Sequence, residues 1–158
     1  PTNAYTQNST DAKFDDDELK IQKEFVQHMN WPASINPPYL VKGDAELIHK
    51  IGFDHRKGIT ITANGFYGPQ GRVLRLPVAV PDMNEKLRTF KSGNLVCTNY
   101  EMETSALYGI CGMLGHKSAT VCAIIANRYA KQYSKDYHKA VDKLIEITLE
   151  HFRFAQIK

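Results

Sequence analysis

After Gly58 the chain alternates short β-branched or apolar runs with stretches of helical period, and this alternation is what most limits the folds open to it. Ile59-Thr60-Ile61-Thr62-Ala63 reads as a strand, stopped by Asn64-Gly65. Pro81-Asp82 opens a helix through about Lys91, ended by Gly93, and Leu95-Val96-Cys97-Thr98 is a second strand. Met102 to Leu114 carries Leu107, Ile110, Cys111 and Leu114 at helical spacing and stops at Gly115. Its small residues Ser105, Ala106, Gly109 and Gly112 cost helix propensity and suit close packing on a sheet. Ala119 to Ala126 is continuously apolar and predicts a third strand buried on both faces. The last helix spans about Ser134 to Phe154, with Val141, Leu144, Ile145, Thr148, Leu149 and Phe152 on one stripe. A β-α-β-α-β-α order implies right-handed crossovers and a largely parallel sheet, hence an α/β fold of helices flanking a mostly parallel or mixed sheet. Three strands are few for that class, so either further strands go unrecognised in the sequence or part of the sheet lies outside this chain.

The segment before Gly58 adds helices and a connection. Residues 1–13 are polar and aperiodic and read as a loose lead-in. Asp15, Asp16 and Asp17 precede an amphipathic stretch from Glu18 to Met29, as acidic residues at a helix start should. No second ligand cluster accompanies them, so a metal site is not expected there. Trp31 to Tyr39 holds three prolines in nine residues and excludes a regular helix. Asp44 caps a short helix to about Ile51.

The 158 residues suit a single domain, able to bury roughly 70% of its extended surface. A net charge of +3 from 20 basic and 17 acidic residues is too small and too interspersed for a nucleic-acid or membrane surface. No apolar run approaches the roughly 20 residues of a membrane span. Cys97, Cys111 and Cys122 are odd in number and lack CxxC spacing, which argues against a disulfide framework or a zinc site and fits a reducing, cytosolic compartment. The first apolar stretch is late and weak, so no signal peptide is expected. Pro1 in place of Met suggests a processed or excised piece of something longer.

Ligands of open α/β sheets bind beyond the carboxyl ends of the strands. Each expected strand runs there into a polar segment: Phe66–Arg72, Asn99–Glu103 and Asn127-Arg128. With parallel strands the three share one rim. In the first, Gln70 offers an acceptor and two donors and Arg72 offers donors, matching the C=O, N–H, C=O edge of uracil, with Phe66 as an apolar face for the ring. The same residues suit a glycine-proline surface turn with two solvated polar side chains. In the second, Glu101 and Glu103 flank Met102; a carboxylate can accept from two sugar hydroxyls, and Met102 can pack on the sugar. Both acids equally suit a helix N-terminus. Asn127 and Arg128 suit a strand exit and a salt bridge as well as a site. The six histidines have neither metal nor triad spacing, and no phosphate loop of the P-loop or dinucleotide type occurs.

These segments resemble the nucleoside phosphorylase family that handles purine nucleosides and uridine, most nearly its uridine phosphorylase branch. Asn99–Leu107 (NYEMETSAL) resembles the family's strongest motif, Gly65–Arg72 (GFYGPQGR) its uracil-reading loop, and Ile124–Arg128 (IIANR) its late strand and exit. The likeness runs from about residue 20 to 150. It implies that Gln70 and Arg72 read the uracil edge with Phe66 against the ring. Glu103 would hold the ribose hydroxyls, Met102 would pack on the ribose, and Glu101 and Ile125 would line the pocket. Arg72 and Glu103 are the residues it makes catalytic; Asn127 and Arg128 are further candidates. The implied reaction is phosphorolysis of uridine to uracil and ribose 1-phosphate, with inorganic phosphate as co-substrate, no cofactor and no metal. Arg72 would stabilise the negative charge developing on the departing base. The resemblance also implies a cytoplasmic homo-oligomer in pyrimidine salvage. Purine-specific relatives carry an Asp near Asn127, and an amide cannot act as that acid.

The likeness covers only the carboxyl-terminal portion of the family's chain. The amino-terminal half carries a Gly-Asp-Pro phosphate loop, phosphate-binding arginines and a histidine lent across a dimer interface. Here Gly43-Asp44 is followed by Ala45. The expectation is therefore a partial domain supplying the base and ribose half of a site. The alternatives are a non-catalytic nucleobase- or nucleoside-binding domain of the same descent, and a purine phosphorylase or nucleoside hydrolase of the same fold.

Overall fold

A computed structural model of the chain describes residues 14–52 and 54–154. The lead-in expected over residues 1–13 lies outside the described residues. The chain divides into two compact units, one of residues up to 42 with 57–118, the other of 43–56 with residues from 119 onward.

The first unit opens with helix α1, Asp16–Met29. Asp15 caps it in a reciprocal box: its carboxylate accepts from the Glu18 N–H at 2.8 Å, and the Glu18 carboxylate accepts from the Asp15 N–H at 2.8 Å. The acidic run is thus consumed at the helix start. Lys42 completes it, donating to Asp15 at 2.7 Å and to Asp17 at 3.4 Å. That partnership holds the Asp15 carboxyl below its ordinary value and raises the Lys42 ammonium. Asn30 ends the helix in the left-handed region.

Strand β1, Ile59–Thr62, and helix α3, Met83–Thr89, follow in this unit, then β2, Lys91–Ser92, and β3, Leu95–Glu101. β1 pairs with β3 in parallel and β2 pairs with β3 antiparallel, so the sheet is mixed, in the order β1-β3-β2. Two boundaries differ from the sequence reading. The helix expected to reach Lys91 stops at Thr89, because Phe90 is extended and 1% exposed in the core; Lys91-Ser92 then pairs with Leu95-Val96 through a turn in which Gly93 has φ +57°. The strand expected to end at Thr98 continues to Glu101, paired along β1 as far as Thr62.

A bulge sets which side chains face where. Ile59 pairs with Cys97 and Thr60 with Asn99, so Thr98 is the extra residue on β3. The bulge reverses the alternation, and Cys97, Tyr100 and Ile61 all pack against the cluster of Met29, Val80 and Leu87. Thr60, Thr62, Asn99 and Glu101 take the other face. Phe25 meets Phe90 edge-on at 5.1 Å between centroids. Each large apolar side chain so buried stabilises the unit by about 1.5–3 kcal/mol. Burial also pushes the Cys97 thiol up to about 12, which keeps it protonated and unreactive. Helix α4, Thr104–Met113, ends at Leu114 with Gly115 at φ +73° and packs beside β1.

In the second unit, helix α2, Ala45–Ile51, is capped by Asp44, which accepts from the Leu47 N–H at 2.9 Å. It packs against α5, Tyr137–Phe154. The strand expected over Ala119 to Ala126 is a correction: residues 119–125 form no ladder, and only β4, Ala126–Asn127, pairs antiparallel with β5, Gln132–Tyr133. A continuously apolar strand needs neighbours on its hydrogen-bonding edges and both faces. Ile124 and Ile125 are instead 61% and 48% exposed. The last helix starts at Tyr137 rather than Ser134 because Tyr133 belongs to this hairpin. The architecture is α/β with a mixed sheet, the described residues holding five α-helices. Among them no helix is long and apolar enough to cross a membrane.

Candidate functional site

Parallel pairing brings the exits of β1 and β3 to one edge of the sheet. Thr62 lies opposite Glu101, and the Ala63 N–H donates to the Glu101 carbonyl at 2.9 Å. The loop holding Phe66, Gln70 and Arg72 therefore leaves the sheet beside the segment holding Glu101, Met102 and Glu103. Two of the three expected segments meet in the first unit. Ile125, Asn127 and Arg128 belong to the second.

The β1 exit folds back on itself through a 3-10 turn, Gly68–Gln70. The Gly71 N–H donates to the Gly68 carbonyl at 2.8 Å and the Arg72 N–H to the Tyr67 carbonyl at 3.0 Å. Gly71 has φ +71°, in the left-handed region that favours glycine. A Cβ there would also meet the Asn84 amide at 2.9 Å. That reversal sets Arg72 against Gln70 and Phe66. The Arg72 guanidinium donates through Nη1 to the Gln70 Oε1 at 3.0 Å and to the Phe66 carbonyl. It lies 3.8 Å from the centroid of the Phe66 ring, a cation–π contact. Gln70 is 3% exposed while Phe66 is 53% exposed. The amide and the guanidinium expected to read one ligand edge are thus held together, with the guanidinium over the aromatic face expected to carry the base.

At the β3 exit both oxygens of the Glu101 carboxylate accept hydrogen bonds. Its Oε2 accepts from the Glu103 N–H at 2.7 Å and the Thr104 N–H at 2.6 Å, and its Oε1 accepts from the Thr62 hydroxyl. Burial raises the Glu101 pKa, but these hydrogen bonds outweigh it and hold the carboxyl below its ordinary value. Thr62 in turn accepts from the Ser105 N–H at 2.9 Å, and Ser105 Oγ accepts from the Tyr39 hydroxyl at 3.1 Å. The N–H groups of the N-cap residue Glu103 and of the first two residues of α4, Thr104 and Ser105, are satisfied by side chains from the sheet. Met102 and Glu103 are exposed at the rim beside them.

In the second unit Asn127 accepts through Oδ1 from the Ala130 N–H at 3.1 Å, closing the β4–β5 turn. Arg128 is half-buried in that turn. The Ile125 carbonyl accepts from the Ser134 N–H at 2.9 Å. Cys97, Cys111 and Cys122 form no disulfide, and among the described residues no group of three or more His, Cys, Asp or Glu side chains gathers as metal ligands would.

Three contributors escaped the sequence reading. Thr62 and Ser105 join the network around Glu101. Asn84, on α3, abuts the loop at Gly71 and accepts from the Tyr100 hydroxyl at 2.9 Å. For Thr62 a signal existed: T-x-T on one strand and N-x-E on the next both have the two-residue period that places polar side chains on one face. For Asn84 the sequence holds none.

A family model described as the Phosphorylase superfamily matches residues 2–152. A uridine phosphorylase of Thermococcus kodakarensis is 33% identical over 90 residues, which cover 52% of this chain and 29% of the relative. No solved structure matches significantly.

Proposed function

The chain belongs to the phosphorylase superfamily, and from that premise we propose that it supplies the base- and ribose-binding half of an enzyme that phosphorolyses uridine to uracil and ribose 1-phosphate. The observation that carries this is the parallel pairing of β1 and β3. It sets the Phe66–Arg72 loop beside Glu101–Glu103 at one rim, as a nucleoside with a base and a sugar requires. The likeness to a uridine phosphorylase supports the pyrimidine choice.

On this reading Gln70 and Arg72 hold the uracil edge. The remaining guanidinium donors meet the charge that builds on the base as the glycosidic bond lengthens. Cationic donors fixed before the reaction lower the barrier without reorganising during it. Glu103 accepts from the ribose hydroxyls, and Met102 packs on the sugar. Phosphate attacks the sugar as the base leaves, and no covalent enzyme intermediate is needed. The chain corresponds to the carboxyl-terminal portion of such a fold, within a cytoplasmic homo-oligomer that serves pyrimidine salvage.

The matched region spans 29% of the relative's length, and that supports a second reading. In it the chain binds nucleoside by itself without turning it over. Uracil release from uridine, followed by ultraviolet absorbance with and without phosphate, separates the two. Phosphate-dependent release is the expected result. Binding of uracil with no release under either condition favours the second reading, and neither binding nor release overturns both.

A further inference from the structure

Helix α4 does not cap itself. Glu103 stands at its N-cap position with φ −129° and ψ −30° and makes no side-chain capping bond. The free N–H groups of Glu103, Thr104 and Ser105 are met instead by Glu101 on β3 and Thr62 on β1. A helix capped by its own N-cap residue can shift against the sheet without breaking the cap. A helix capped by two strands is locked to them in register. The bulge at Thr98 is part of the device, because it turns Glu101 onto the face that carries Thr62.

The same bonds bear on which acid meets a ligand. Both Glu101 oxygens already accept from donors of the chain, three in all. One acceptor site is left on Oε1, so the carboxylate could not take both hydroxyls of a ribose without displacing a donor of the chain. Glu103, whose backbone N–H is held by Glu101 Oε2 at 2.7 Å, is exposed at the rim.

We propose that Thr62 and Glu101 are positioning residues that act through Glu103, fixing its carboxylate where the sugar of a nucleoside is held. This rests on the ribose-binding role of Glu103 given above. The effect is specific to the sugar, since the Gln70–Arg72 loop is closed by its own bonds and by Asn84. Loss of the Thr62 hydroxyl should therefore weaken a ligand that carries ribose and spare the free base.

The test is a double-mutant cycle read by calorimetric binding of uridine and of uracil to the full chain. Thr62→Val should weaken uridine about tenfold, the loss of one well-placed polar contact, and leave uracil within about twofold. Thr62→Ser, which restores the hydroxyl, should recover uridine binding. In a Glu103→Ala background, Thr62→Val should cost uridine nothing further. Equal losses on uridine and uracil, or additive losses in the cycle, overturn the positioning role and leave the pyrimidine reading intact. A wild-type chain that binds neither ligand overturns the pyrimidine reading and this one with it. If Thr62→Val does not fold, Glu101→Gln carries the same cycle, being nearly isosteric.

Discussion

Gln70 is 3% exposed, and its amide oxygen already accepts from Arg72. An amide carries two acceptor sites on its oxygen and two N–H donors, the complement that a ring N–H beside a carbonyl requires. Gln70→Ala removes that partner and leaves the Arg72 guanidinium without one of its acceptors. Uracil binding should weaken by about 1–3 kcal/mol, the cost of an unsatisfied buried polar group. Calorimetric titration measures it, and unchanged affinity would remove Gln70 from the base site. The residue types here were legible because the loop is short in sequence: Phe66, Gln70 and Arg72 meet within one turn. The Glu101 network was not, because Thr62 reaches Glu101 across a separation of 39 residues that only strand register closes. Glu101 itself was legible under both of its readings, and the hydrogen bonds it accepts are those of the helix-start reading.

At the scale of elements, the bulge in β3 is what a one-dimensional reading misses. The strand was expected to stop at Thr98, the bulged residue, since polar Asn99 and Glu101 follow it. Those polar residues remain in the ladder because Thr60 and Thr62 lie opposite and hydrogen-bond to them. The bulge also imposes a requirement on the residue before β1. A Cβ on Gly58 would stand 2.4 Å from the Thr98 methyl and 2.7 Å from the Val96 carbonyl oxygen. Gly58→Ala should therefore destabilise the chain by about 1–3 kcal/mol, the range for overpacking, measured by denaturant unfolding. Thr98→Ser removes only the methyl and keeps the hydroxyl that donates to Asn99 at 2.9 Å, so adding it should restore stability in part, with the carbonyl clash remaining. Full restoration would assign the strain to the side chain alone; no loss in Gly58→Ala would mean that β1 enters the sheet along another path. Helices were the elements that sequence located best, because caps at Asp15 and Asp44 and the stop at Gly115 act locally. The run at 119–126 failed for the opposite reason. Its apolar pattern announces burial, but a strand exists only where another strand pairs with it.

At the scale of the whole molecule, the thin sheet inferred from three strand-like runs is matched by a sheet of three strands, though not the same three: Lys91–Ser92 takes the place expected for 119–126. The match to a relative over 29% of its length fits the same picture. The proposed function predicts that a nucleoside stabilises the whole chain, and which one. A ligand bound by the folded state alone raises stability by about 2.7 kcal/mol at a hundred times its Kd. For a chain of this size that is a rise in Tm of roughly 5–10 °C. Uridine should produce such a shift, and inosine at the same concentration should not. The reason lies in the loop: an amide and a guanidinium held 3.0 Å apart match the C=O, N–H, C=O edge of a pyrimidine. A purine offers a different edge and a larger ring to the same short turn. A thermal melt with each nucleoside decides it. Equal shifts would move the chain to the purine side of its family, and a shift with inosine alone would show that Gln70 and Arg72 serve the loop's fold and not the base.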